Sequence, residues 1–151
     1  MTSDVKVVRM SAEHVGGVAD IELACFREPW SCESLGMLLR EGGVGFVVLC
    51  DGAVAAYGGM LCVAGEGQVT NIATLPEYRR RGFGRAVVEA LTSYAESAVL
   101  GEIYLEVRES NVAAQRLYGS CGFECVGRRK NFYRDPREDG LNFCKRIEDT
   151  D

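Results

Sequence analysis

The residues that could do chemistry lie in two stretches. The first is Asn71 to Ala86, which contains Arg79-Arg80-Arg81-Gly82-Phe83-Gly84-Arg85. Here a strand-like run enters a glycine-bearing loop, and the loop enters a helix. Glycines let backbone N–H groups approach a ligand without obstruction. A helix N-terminus adds unpaired N–H groups and partial positive charge, and the arginines add formal charge. The sum is an anion site suited to phosphates. It is neither of two familiar phosphate loops. No Gly-x-x-x-x-Gly-Lys-Ser/Thr run is present. The dinucleotide fingerprint needs a third glycine where this chain has Val87. By spacing alone, the segment reads equally as a basic turn opening a helix.

The second stretch is Glu102 to Tyr118. The run Glu102-Ile103-Tyr104-Leu105-Glu106-Val107-Arg108 alternates, with Ile103, Leu105 and Val107 on one face and Tyr104, Glu106 and Arg108 on the other. Asn111 then caps a helix that carries Tyr118. A carboxylate at Glu106 could act as a base and a phenol at Tyr118 as an acid. By pattern alone, Glu106 reads first as an exposed strand glutamate paired with a lysine or arginine, and Tyr118 as a core tyrosine spaced with Ala114 and Cys121.

The elements that must position these groups follow from periodicity and punctuation. A first strand covers Val5 to about Arg9, and Ser11 caps a helix to about Cys25. Ser31 caps a second helix to about Arg40. Three runs, Gly45–Cys50, Ala53–Val63 and Gln68–Thr74, read as an antiparallel meander with an Asp51-Gly52 hairpin turn. A helix from about Gly82 to Ala98 places Phe83, Val87, Ala90, Leu91, Tyr94 and Ala98 on one face. The strand Glu102–Arg108, a helix from Asn111 to about Cys121, and strands Phe123–Arg128 and Leu141–Arg146 complete the chain. This order is mixed α/β, with parallel pairing expected across the helical crossovers. No repeat or long linker interrupts it, so residues 1–151 are expected to form a single domain.

Composition narrows the function classes. Of 151 residues, 47% are hydrophobic and 26% charged, as in soluble globular proteins. A net charge of −5 argues against direct nucleic-acid binding. No apolar run is long enough to span a membrane, and Met1–Met10 lacks the apolar core of a signal peptide, so a cytoplasmic location is expected. The seven cysteines show no C-x-x-C spacing and have one histidine, His14, for company. That spacing argues against zinc, and the cysteines read as small buried hydrophobes.

Arg79–Gly84 resembles the Gln/Arg-x-x-Gly-x-Gly/Ala coenzyme loop of the GNAT superfamily of N-acetyltransferases. Glu28-Pro29-Trp30-Ser31, Thr70-Asn71-Ile72-Ala73, Leu105 to Asn111, Leu117-Tyr118, Cys121 to Glu124 and Arg128 to Tyr133 are similar to its RimI-type branch. That branch acetylates the N-terminal alanine of a small-subunit ribosomal protein. The resemblance spans roughly residues 5 to 147. It implies a mixed central sheet of about seven strands with about four helices, acetyl-CoA as co-substrate and no metal. It also implies a monomer or weak homodimer acting on a ribosomal protein's N-terminus. In its terms Glu106 is the base and Tyr118 the proton donor beside the coenzyme. Arg79, Arg80, Arg81, Gly82, Phe83, Gly84 and Arg85 hold the diphosphate. Ile72, Ala73 and Thr74 offer backbone groups to the pantetheine arm, and Asn111 reaches the coenzyme. Trp30, Tyr133 and Glu66 line the acceptor groove. Thr74, Gly36 and Asn142 depart from the usual residues of the branch. A small-molecule amine acetyltransferase and a non-catalytic acetyl-CoA-binding module remain the competing readings.

Overall fold

The alternating run at the N-terminus forms strand β1 (Val5–Arg9), at one edge of the sheet in the computed structural model, which describes residues 3–147. Ser11 then caps a short 3₁₀ turn, Ala12–His14, and its backbone N–H donates to His14 Nδ1 at 3.0 Å. Helix α1 (Val15–Cys25) follows. Ser31 Oγ accepts from Ser34 N and caps α2 (Cys32–Leu35). The expected single helix to Arg40 is not kept. At Gly36 the coil tightens into a 3₁₀ turn, Gly36–Leu39; glycine adds no side chain to hold the wider helix, and short 3₁₀ runs commonly finish helices.

Strands β2 (Gly43–Cys50), β3 (Ala53–Val63) and β4 (Glu66–Thr74) form the antiparallel meander read from the sequence. Asp51 and Gly52 both take positive φ, 51° and 86°, which the two-residue hairpin turn requires. After a 3₁₀ turn at Pro76–Tyr78 come α3 (Phe83–Ser97), β5 (Glu102–Arg108), α4 (Val112–Ser120), β6 (Glu124–Arg134) and β7 (Arg137–Arg146). The sheet order is β1-β2-β3-β4-β5-β7-β6, with β4 and β5 its parallel neighbours.

Two cores lie on opposite faces of this sheet. Under α3 and α4, Val87, Leu91 and Ala95 pack with Tyr118 and with Ile103, Leu105 and Val107 of β5. On the other face Val18 and Ile21 of α1 pack with Leu35, Leu38, Val47 and Tyr57. Each fully buried side chain of this size contributes about 1.5–3 kcal/mol. Tyr104, Glu106 and Arg108 therefore point to the face that carries α1.

Three expectations need correction. The last two strands run well past Phe123–Arg128 and Leu141–Arg146 and form one long hairpin. Strand β6 is exposed along nearly its whole length, so no alternation marks its extent. Of the seven cysteines, Cys50 alone is buried, whereas Cys32 and Cys125 are exposed and the rest half-buried.

Candidate active site

Strands β4 and β5 pair over three positions, Glu66 with Glu102, Gly67 with Ile103 and Gln68 with Tyr104, and then part. The cause is a bulge in β4. Gly58 pairs with Ile72 and Met60 with Val69, so Thr70 and Asn71 together oppose Gly59. Such a bulge bends its strand and increases the local twist. Gly59 has no room for a side chain there, because a Cβ would lie 2.7 Å from Thr70 Oγ1 and 2.5 Å from Leu38 Cδ1.

The parting opens a cleft of about 400 Å³. Val69 to Ile72 form one wall and Leu105 to Arg108 the other. Because the sheet is open here, side chains from both faces reach one space. Glu106 enters from the α1 face, and Tyr118 and Asn111 from α4 on the opposite face. The loop Phe26–Trp30 and the turn around Tyr133–Asp135 close the ends.

Glu106 is partly buried, and the reason lies in β6. Lys130 to Phe132 bulge out of register between Arg129 and Tyr133, with Asn131 at φ 52°. Phe132 thereby folds over Gly140, whose absent Cβ would sit 3.2 Å from Glu106 Oε2. That oxygen is buried and has no hydrogen-bond partner, while Oε1 faces Arg129 Nε at 3.2 Å. Burial raises the Glu106 carboxyl above its ordinary value, and Arg129 pulls the other way. A carboxylate with one unpartnered oxygen beside a cleft can accept a proton.

Tyr118 is packed against Phe123 and Phe143. Burial, with smaller contributions from Tyr133 and Cys121, pushes its phenol up to about 12. It stays protonated at neutral pH and can serve as a donor. Tyr133 is likewise pushed up to about 12 by burial and then by Glu106, and it lies under the Arg108 guanidinium at 4.3 Å. Arg108 in turn donates to the Asp135 and Pro136 carbonyls and pairs with Glu138 at 3.0 Å, fastening the β6–β7 turn to β5. Across the cleft mouth, Arg27 Nη1 meets Asp135 Oδ1 at 3.0 Å.

The coenzyme-loop residues sit at the start of α3. Gly82 is its N-cap at φ 81°, a backbone region that suits glycine. Gly84 brings α3 against α4, since a Cβ there would be 3.2 Å from Leu117. Arg80 and Arg81 are exposed, with Arg81 over the Tyr78 ring at 5.4 Å. Arg79 and Arg85 are exposed too, but each is tied to the fold: Arg79 donates from Nε to the Thr74 carbonyl at 3.2 Å, and Arg85 donates to Ser120 Oγ at 2.7 Å. Phe83 is buried in the core. The β4 edge that faces β5 is unpaired beyond Gln68, so Ile72 lies on an open strand edge; Ala73 pairs with Tyr57 on the β3 side. Asn111 caps α4, accepting from Ala114 N at 3.1 Å, and lines the cleft. Trp30 and Tyr133 also line it. Glu66 does not. It lies in a smaller hollow of about 200 Å³ with Gln68, Tyr104, Arg129 and Asn142, which shares Val69, Leu105 and Glu106 with the cleft. Among the described residues no group of His, Cys, Asp or Glu could hold a metal ion, and no helix is long and apolar enough to cross a membrane.

The model that describes the acetyltransferase (GNAT) family matches residues 16–123. The chain belongs to this family. Among the relatives of this acetyltransferase is the [ribosomal protein bS18]-alanine N-acetyltransferase of Escherichia coli K12, 37% identical over 123 residues, 80% of this chain and 83% of that one. A Bacillus subtilis protein that carries the same name provisionally is 35% identical over 143 residues, 93% and 95% of the two chains. The crystal structure of the Escherichia coli ribosomal-protein-S18-alanine N-acetyltransferase superimposes with a TM-score of 0.90 at 31% identity, covering 98% of this chain and 97% of that one.

The acetyltransferase fold brings together residues in and around the cleft that periodicity alone does not identify. Phe132 and Gly140 depend on the β6 bulge. Asn142 pairs with Glu106 across β5 and β7. Glu22 is wholly buried behind the cleft. It lies on the stripe Val18, Ile21, Glu22, Cys25, and a charge on an otherwise apolar face was the signal that could have found it.

Proposed function

We propose that this chain transfers the acetyl group of acetyl-CoA to the N-terminal alanine of ribosomal protein bS18. The observation that carries the proposal is the cleft itself, where an unpartnered Glu106 oxygen and a protonated Tyr118 phenol line one space between parted strands. Relatives that bear the bS18 name at 35–37% identity supply the acceptor.

In this reading the α3 N-terminus and Arg80, Arg81 and Gly82 to Gly84 bind the coenzyme diphosphate. Arg79 and Arg85 brace the loop from behind, through Thr74 and Ser120. The open β4 edge around Ile72 and Ala73 pairs with the pantetheine arm in the manner of an added strand, next to Thr74. Asn111 and Tyr118 flank the thioester. The α-amine enters from the α1 face, between Trp30 and Tyr133. An α-ammonium group has a pKa of about 7.7–8.0, so a modest base suffices. Glu106 takes its proton, directly or through one water. The neutral amine attacks the thioester carbonyl, the C–S bond breaks, and Tyr118 gives its proton to the leaving thiolate; the proton shed by the nitrogen as the amide forms restores the Tyr118 phenol through solvent. One amide and one free thiol result. The work is done by a single cytoplasmic N-acetyltransferase domain.

The test is incubation with acetyl-CoA and a peptide copying the bS18 N-terminus, following thiol release. Turnover is expected. Turnover on a polyamine with none on the peptide would contradict the proposal.

A further inference from the structure

Glu22 is a fully buried carboxylate that the chemistry above does not use. Its Oε1 accepts from the Trp30 backbone N–H at 2.7 Å, and its Oε2 accepts from the Tyr57 hydroxyl at 2.6 Å. The Asn71 side-chain nitrogen lies 3.2 and 3.0 Å from the two oxygens. Burying a carboxylate is costly unless donors meet its lone pairs. Here three donors converge on it. An aliphatic side chain would fill the same stripe of α1 without that cost, so packing alone does not account for a glutamate.

The addresses of the donors do. Trp30 sits on the α1–α2 loop, one boundary of the cleft, and Asn71 sits in the β4 bulge, another. Tyr57, on β3 and paired there with Ala73, anchors the carboxylate to the sheet. Burial first, and then Glu22, hold the Tyr57 phenol well above its ordinary value, so it remains a donor. Between Phe26 and Trp30, which pack on the α1-face core, Arg27, Glu28 and Pro29 are exposed, and Arg27 has only its surface pair with Asp135.

We propose that Glu22 is a positioning residue that sets the acceptor end of the cleft, by clamping the Trp30 loop to the Asn71 bulge. This rests on reading that end as the acceptor site. The coenzyme loop at Arg79–Gly84 supplies none of the three donors.

Trp30 is the only tryptophan in the chain, so its fluorescence reports the loop without any substrate. The experiment compares wild type with Glu22→Gln and Tyr57→Phe. It reads tryptophan emission and acrylamide quenching, the acetyl-CoA Kd, and kcat and KM for the bS18 N-terminal peptide. In Glu22→Gln, emission shifts to longer wavelength and quenching rises. The acceptor KM rises on the order of tenfold, while the coenzyme Kd stays within about twofold. Tyr57→Phe, which removes one bond and no charge, shows the same pattern at smaller size, and it carries the test if Glu22→Gln does not fold. Unchanged emission in the folded variants overturns the proposal. So does a lowered Tm with unchanged acceptor KM, or an equal loss of coenzyme and acceptor binding. If wild type leaves the peptide unmodified, the acceptor reading fails separately, and the fluorescence still decides whether Glu22 holds the loop.

Discussion

The proposed diphosphate site comes from one stretch of chain, Arg79 to Arg85, whereas the acceptor end of the cleft draws on the α1–α2 loop, β4, β5 and the β6–β7 hairpin. At the first, local backbone geometry does most of the work: a left-handed glycine, a helix N-terminus and exposed guanidiniums. At the second, burial and long-range partners do it. Glu106 depends on Phe132 and Gly140, Trp30 on Glu22, and the turn at Asp135 on Arg108. A contiguous site tolerates change elsewhere in the molecule. An assembled site is sensitive to side chains that never touch substrate.

Four substitutions put that contrast to the test. The largest effect is expected at Glu106. Glu106→Gln lowers kcat by about 10²–10⁴-fold with the coenzyme Kd unchanged, read by steady-state kinetics and calorimetry. The same substitution does not destabilise the fold at neutral pH. Burial raises the Glu106 pKa above its unfolded value, so the stability tied to this group is fully present below the unfolded pKa and is lost as pH rises through the folded one. Glutamine removes that loss. Thermal melts at pH 7 should place the variant at or above wild type, with the gap closing below about pH 4. In wild type, the acid limb of the kcat profile should lie above the ordinary carboxylate range and vanish in Glu106→Gln.

Tyr118→Phe comes next. Loss of the phenolic proton lowers kcat by about 10²-fold, and the alkaline limb near the high Tyr118 value disappears from the pH profile. Gly82→Ala is smaller and falls on the other side of the comparison. Holding a Cβ at φ 81° costs about 1–2 kcal/mol, so the acetyl-CoA Kd rises about tenfold, while kcat at saturating coenzyme is kept. Equal damage to acceptor KM would mean the two ends are not separate. The smallest effect is expected for Arg27→Ala. Its pair with Asp135 spans the cleft mouth but is exposed on both sides, 71% and 58%. The acceptor KM should change by at most about threefold, and less at high salt.

The same contrast governs what was legible in the sequence. Every helix and strand that positions Glu106 and Tyr118 could be read, because β5 alternates cleanly and Asn111 caps α4 by a local rule. The glycine loop could be read for the same reason. The β6 extension could not, because an exposed edge strand carries no burial period. Its bulge, which shields Glu106, is a tertiary feature of the hairpin. The short second helix escaped because Gly36 allows either coil. Glu66 was expected beside Trp30 and Tyr133, yet it lies in the adjoining hollow, since β4 and β5 are still paired at its level and part only beyond Gln68. Glu22 was legible in principle, but its three partners come from the following loop and two distant strands.

The most direct test of the account uses whole bS18 rather than a peptide. Wild type and Glu106→Gln are each incubated with acetyl-CoA and unmodified bS18, and the acetylated position is mapped by mass spectrometry. One acetyl group is expected on the α-amine of the N-terminal alanine with wild type, and a loss of rate with Glu106→Gln despite retained coenzyme binding. Acetylation at lysine side chains, an unmodified N-terminus, or equal rates from the two proteins would contradict it.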